Sequence, residues 1–260
     1  VSKYQNLNHL TKTVTDMGDN TRKVALDDCS VQRYISEKTK VAAYFKNLEA
    51  HLIHHIKSAD AVVGCIAWLT SENVLKALSE KIAASVIIQK EDFLRPDINS
   101  SSADWKTDLR TLYDAIKPIR TPENGLMGWY ETSQVDDNVG IGSPFASVGI
   151  RCVGYSRGAT ATQPRMHHKF LVFLRHKVIT KEEELQGLWP YLPYAVWTGS
   201  FNVTKNGAAS LENALYLEDP VVSEAFCNEW TQMVEISESL DWHSEYATPE
   251  VYFNTGACLS

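Results

Sequence analysis

Residues 165–173 read RMHHKFLVF, with two histidines and a lysine at the mouth of an apolar run. A short apolar run of this kind reads as a buried strand. Side chains alternate across a strand, so His167 and Lys169 share one face and His168 points to the other, among apolar neighbours. By itself the stretch fits a strand with a polar beginning and nothing more. A second stretch, TGSFNVTKNGAASLENALYLEDP (198–220), supplies the partner. Within it Ser200 and Asn202 share a face, Phe201 turns to the core, and Gly199 permits close approach of a ligand or of backbone. If the two strands are neighbours, an imidazole, an ammonium, a hydroxyl and a carboxamide converge. Such a set suits a phosphoryl group: a nucleophile or acid/base, a fixed positive charge and two neutral donors.

Working outward, the chain before this region alternates helical and strand patterns. Val41, Phe45, Leu48, Leu52 and Ile56 recur at steps of three and four, which predicts one amphipathic helix. AVVGCIAW (61–68) follows as a strand. Ser71 then caps a helix running to Ile82 with Val74, Leu75, Leu78 and Ile82 on one face, and SVIIQ (85–89) is the next strand. Apolar strands alternating with helices predict a sheet covered on both faces. SSADWKTDLRTLYDAIKP holds a helix that stops before Pro118, whereas 121–144 is rich in Gly, Asn, Asp and Pro and reads as loops. Further strands are predicted at GIRCVGY, YAVWT and NALYLE. A closing helix places Val222, Phe226, Trp230, Met233 and Leu240 near one face.

Composition narrows the classes. Of the 260 residues 44% are hydrophobic, enough for a sizeable core, so disorder is not the default reading. Cys29, Cys65, Cys152, Cys227 and Cys258 form no CxxC pair, and an odd, scattered set reads as reduced thiols of a cytoplasmic protein. No apolar run approaches a membrane span and the first residues lack a signal-peptide core, so no stable membrane association is expected. The net charge of −7 argues against promiscuous binding to nucleic acid, although a local basic cleft is compatible with it.

MHHKFLVF followed by TGSFNVTKNGAASLENALYLEDP resembles the phospholipase D superfamily, with its HxK…GSxN signature and later Glu-Asn pair; by length the single-motif, nuclease-like branch fits best. The resemblance is specific over 165–220 and only one of pattern over 40–90. It implies an α/β fold, a phospholipase D-like mixed β-sheet flanked by helices on both faces. Residues 39–260 would form a single domain behind an arm or cap of residues 1–38, with loop insertions near 95–145 and 175–193. It also implies a mechanism in which one histidine attacks phosphorus to give a phosphohistidine and a second protonates the leaving oxygen and then activates water. His167 would be the nucleophile. Lys169, Ser200 and Asn202 would hold the non-bridging oxygens, and Glu212 matches the later acidic position and would orient an imidazole through its other nitrogen.

The resemblance requires no metal and no cofactor. Two histidines are needed and the chain carries one complete motif, so a homodimer with two copies of His167 facing each other across a twofold axis is expected. The implied activity is a phosphodiesterase, a nuclease cleaving DNA or RNA, with a nucleic acid as substrate. The rivals are an enzyme acting on phospholipid or another phosphodiester and a non-catalytic scaffold of the same fold. One departure is Leu174, which stands where the family usually has Asp.

Several residues admit two readings. Arg151, Arg157 and Arg165 precede the motif and stand as candidate contacts to a nucleic-acid backbone, Arg165 above all, though isolated arginines are more often solvated. Trp105, Trp129, Trp189 and Tyr191 are candidates to stack on bases, with core packing the simpler reading for each. His51, His54 and His55 lie at helical spacing without a matching carboxylate, so satisfied or solvent-facing rings are expected there. His55-Ile56-Lys57 also spells HxK, but inside a predicted helix and with no GSxN behind it.

Overall fold

The computed structural model describes residues 11–15, 21–25, 39–91, 94, 104–119, 149–154, 165–185, 189–235 and 237–240. In the first 38 residues, strands β1 (Thr11–Thr15) and β2 (Thr21–Ala25) pair antiparallel as a two-stranded sheet. The main sheet has seven strands: β3 (Val41–Tyr44), β4 (Ala61–Ile66), β5 (Ala83–Gln89), β6 (Ile150–Val153), β7 (Lys169–His176), β8 (Tyr191–Gly199) and β9 (Ala214–Leu217). Their order is β3-β9-β8-β7-β4-β5-β6. β4, β5 and β6 run parallel to one another, and every pairing from β4 through β7, β8 and β9 to β3 is antiparallel. The chain is therefore an α/β protein built on a mixed sheet.

Both faces of the sheet are covered. Helices α1 (Leu48–Ser58), α2 (Glu72–Ser79) and α3 (Asp104–Asp114) pack on one face, where Leu52, Ile56, Leu75, Leu78 and Tyr113 meet Val62, Val86, Leu171, Phe173 and Trp197. On the other face Cys227, Trp230 and Val234 of α6 (Pro220–Glu235) meet Val63, Cys65, Phe170, Val172, Leu174 and Val196. Helices α4 (Lys181–Leu185) and α5 (Lys205–Ala208) are single turns. The central strands are mostly apolar because neither face is wet: all six residues of β4 and all seven of β5, Ser85 and Gln89 included, are buried. Phe173 has no exposed surface, and emptying its site would cost about 3–5 kcal/mol. The described cysteines, Cys65, Cys152 and Cys227, are free and buried. Among the described residues no helix is long and apolar enough to cross a membrane.

Four local expectations are corrected. Residues 41–44 form strand β3 at the sheet's edge, paired with β9, rather than the first turns of a helix, and α1 begins only at Leu48 after Asn47 at φ 53°. Phe45 consequently points outward, 44% exposed. α2 starts at the expected cap, with Ser71 Oγ accepting from the Val74 amide at 3.3 Å, but it ends at Ser79, which leaves Ile82 exposed. Leu240 lies beyond α6 and packs on the opposite cluster. Arg151 is neither solvated nor free to meet a ligand. It is 2% exposed, and its guanidinium donates to Ser237 Oγ at 2.6 Å and Ser237 O at 3.0 Å.

Among the described residues of the expected insertion at 175–193, only 175–176 and 191–193 lie in strands, and the short helix α4 stands between them. β7 runs to His176 and β8 begins at Tyr191. Trp189 stacks on Trp230 at 6.4 Å and Tyr191 is buried, so these two rings serve the core. Trp105 is half exposed on α3. The predicted loops of 121–144, Trp129 among them, lie outside the described residues, and so does Arg157.

Candidate active site

His167 precedes the first residue of β7, and the register beyond the strand end fixes where it sits. Ile66 lies opposite Lys169, and the Ala67 amide donates to His168 O at 2.9 Å, so the ladder continues and sets Trp68 across from His167. On the other side Phe170 pairs with Thr198, which puts Gly199 beside Lys169. The Ser200 amide donates to Asn213 O at 3.0 Å, carrying the β8–β9 ladder on toward Glu212. A side chain at Gly199 would collide with the backbone of Asn213 and Ala214, so this glycine serves strand approach. The two quoted stretches thus emerge side by side at one end of the sheet, on β7 and its neighbour β8.

His167 and Lys169 face the same way. The Lys169 ammonium lies 3.1 Å from each ring nitrogen of His167 and 3.2 Å from its carbonyl oxygen. Only the unprotonated ring nitrogen accepts from it, so the contact suits a neutral imidazole. His168 points to the opposite face, where its Nε2 lies 3.0 Å from Glu229 Oε1 on α6. Partial burial, with the positive charges of Lys169 and Arg165, holds His167 below the usual imidazole range. Desolvation lowers Lys169, and the carboxylate of Glu212 works against that shift.

Glu212 accepts a hydrogen bond from Ser200 Oγ, and the same hydroxyl accepts from the Asn213 amide at 3.0 Å. Among the described residues the partner of Glu212 is this serine, not an imidazole, because the β8–β9 ladder delivers Ser200 and Glu212 to each other. Asn202 follows in the turn leading to α5. Its side-chain oxygen is buried without a hydrogen-bond partner, and its carbonyl accepts from the Thr204 amide at 2.7 Å. His167 with Lys169 and Ser200 with Glu212 are therefore two bonded pairs linked by charge, and no hydrogen bond among the described residues ties the Asn202 side chain to them. Arg165, at the rim, is paired with Glu91 at 2.7 Å. Leu174 is fully buried under α6, so the position usually held by Asp is here a core position.

Three residues absent from the sequence reading complete the surroundings. The Trp68 ring meets His167 edge-on at 5.3 Å, and its indole N–H donates to Glu91 Oε1 at 3.1 Å. Gln89 Oε1 accepts from the Met166 amide at 2.8 Å, anchoring the chain just before His167. The available signal was position: Trp68 ends the AVVGCIAW run, and Gln89 and Glu91 bracket the end of the next strand. Among the described residues no three His, Cys, Asp or Glu side chains are grouped to hold a metal ion.

No family model matches the chain. Among solved structures it is similar to the phospholipase D family member Nuc from Salmonella typhimurium, at a TM-score of 0.43 and 15% identity over 79% of this chain and 99% of that one. It is similar also to NucT from Helicobacter pylori, at a TM-score of 0.42 and 14% identity over 77% of this chain and 99% of that one. At these scores neither likeness bears on what the site does. In sequence the chain is 32% identical over 223 residues to the uncharacterized protein L381 of Acanthamoeba polyphaga mimivirus, covering 85% of this chain and 75% of the viral protein. With that identity over that span, the chain belongs to the protein family of mimivirus L381.

Proposed function

We propose that the protein is a phospholipase D-like phosphodiesterase, a nuclease that cleaves DNA or RNA without a metal through a phosphohistidine formed on His167. The observation that carries this reading is the Lys169 ammonium seated 3.1 Å from the His167 ring nitrogens, with the Ser200–Glu212 pair close enough to act on its charge. An incoming phosphodiester competes for the ammonium. Once Lys169 turns to a non-bridging oxygen, the ring nitrogen it had occupied is free to attack. The N–P bond forms as the P–O bond to the leaving group breaks, and that oxygen takes the electron pair. Lys169 offsets the charge on the five-coordinate phosphorus. Asn202 and Ser200 are assigned to the non-bridging oxygens, and the Glu212 carboxylate favours the charged form of Lys169.

The leaving oxygen needs a proton, and in this reading His167 of a second protomer supplies it. The same imidazole then takes a proton from the water that attacks phosphorus and breaks the N–P bond. The active species is thus a homodimer acting on a nucleic acid, with residues 39–260 taken as one unit.

The test is digestion of single- and double-stranded DNA and RNA in excess chelator by wild type and His167→Ala, together with acid-labile phosphate labelling of the protein. Cleavage by the wild type and none by the variant is the expected result. Cleavage that needs added divalent metal, or that survives the substitution, overturns the reading. Sedimentation of the active species as a monomer would overturn the shared site.

A further inference from the structure

We infer that Trp68, clamped by Glu91, is a positioning residue that fixes the His167 imidazole and the Lys169 ammonium for attack on a phosphodiester; this rests on the phosphodiesterase reading of the same site. Continuation of the β4–β7 ladder puts Trp68 directly across from His167. Its ring then does two things. It receives the His167 imidazole edge-on, with centroids 5.3 Å apart and planes at 79°, within the range of a favourable aromatic pair. The Lys169 ammonium lies over it, 5.8 Å from the ring, within cation–π reach. The two groups proposed to attack and to stabilise therefore lean on one indole.

An indole can swing about two side-chain bonds, and here its N–H is tied. Trp68 Nε1 donates to Glu91 Oε1 at 3.1 Å, and that same carboxylate oxygen accepts from Arg165 Nη1 at 2.7 Å. Glu91 is thereby held from two sides, and the end of β5 holds the other flank of the histidine through Gln89 and the Met166 amide. A leucine at position 68 would supply apolar volume but neither the ring face nor the tether. With the Lys169 ammonium over the ring, the indole serves the protein's own groups and does not act as a stacking platform for a base.

The experiment uses the full chain with bis(4-nitrophenyl) phosphate as substrate in excess chelator, and compares Trp68→Leu, Trp68→Phe, Glu91→Ala and the Trp68→Phe/Glu91→Ala double variant. Misplacing a nucleophile by about 1 Å costs on the order of 100-fold, so Trp68→Leu should lose about 30- to 100-fold in kcat with KM within about twofold. Trp68→Phe and Glu91→Ala remove the same hydrogen bond. Each should cost about fivefold, and the double variant no more than either alone. Losses that multiply in the double variant overturn the clamp. A Trp68→Leu kcat within about threefold of wild type overturns the positioning role, and the Phe/Ala cycle decides the matter if the leucine variant does not fold. If wild type turns over no phosphodiester, the phosphodiesterase reading falls and the catalytic part of this inference falls with it. The contact is then read by proton NMR: His167 ring-proton shifts that differ between wild type and Trp68→Leu support it, and unchanged shifts overturn it.

Discussion

The chain spells His-x-Lys twice, and the two copies do different things. At 55–57 the letters lie on α1, where each residue turns about 100°, so His55 and Lys57 leave opposite sides of the helix. His55 goes inward to stack on Tyr216 at 3.7 Å with its Nε2 2.9 Å from the Tyr44 hydroxyl, and Lys57 goes to solvent. At 167–169 the backbone is extended, the same spacing returns both side chains to one face, and the ammonium reaches both ring nitrogens. A motif of this kind is a statement about backbone period, and the letters bring an imidazole and an ammonium together only where the period is two. The settings differ as well. Burial, followed by the charges of His54 and His51, pushes His55 down to about 4, and Glu218 only partly offsets this. His167 is exposed and lowered less.

The largest contrast is in turnover. His167→Ala should lower phosphodiester cleavage by at least about 10⁴-fold, as removal of a covalent nucleophile does, whereas His55→Gln should stay within about twofold once folded protein is compared. Steady-state rates on one oligonucleotide settle it, and comparable losses at both sites would erase the distinction. Lys169→Met comes next, at about 10²–10³-fold in kcat, the size of one lost charge-stabilising donor. It should also move the pH profile. Lys169 lowers the His167 pKa, so its removal raises that pKa, and the acid limb of kcat/KM shifts toward higher pH. An acid limb that stays in place or moves down contradicts the electrostatic part of the contrast.

How far the sequence discloses these two settings depends on where each partner lies. The stretches buried on both faces, 61–66, 83–89 and 170–174, are legible because a doubly covered strand leaves little polar alternation to misread. The His167/Lys169 pairing is legible because it needs only the local period. Residues 41–45 are not, because VAAYF fits both periods, and what makes 41–44 a strand is the distant β9. Trp68 and Glu91 escaped for the same reason, since their link to His167 runs through a register between strands far apart in sequence. Arg151 looked like a surface cation because nothing local says that Ser237 and Glu238 close over the end of β6. Ser200 and Glu212 are both legible as site residues, but their mutual bond depends on the β8–β9 ladder.

The helical copy makes its own prediction, in stability. His55 is held neutral in the folded chain down to about 4, while in the unfolded chain it titrates near 6.5. Between those values the unfolded state binds the extra proton, so stability is fully present above about pH 6.5 and is lost as pH falls toward 4. With a discount for the part of the ring that solvent reaches, the loss is about 2 kcal/mol, roughly a 30-fold change in the folding constant. Urea midpoints from pH 7 to 4 should show that slope in wild type and a shallower one in His55→Phe. Equal slopes would mean that the ring takes up its proton in place.

The smallest effect belongs to the residue between His167 and Lys169. His168 is one residue from both His167 and Lys169, yet the pleat turns it away from both. Its ring packs edge-on against Phe170 at 5.6 Å and its Nε2 reaches Glu229, on the α6 side of the sheet. A partly exposed pair of this kind contributes at most about 1 kcal/mol, because water and salt screen it. His168→Ala should therefore shift the urea midpoint slightly and leave kcat within about threefold of wild type, several decades above His167→Ala. The comparison must be made on well-folded protein, with matched far-UV circular dichroism for the two variants. If both alanines then abolish cleavage equally, adjacent imidazoles are acting on one side of the sheet, and an alternating backbone at 167–169 cannot be the reason one histidine works and the other does not.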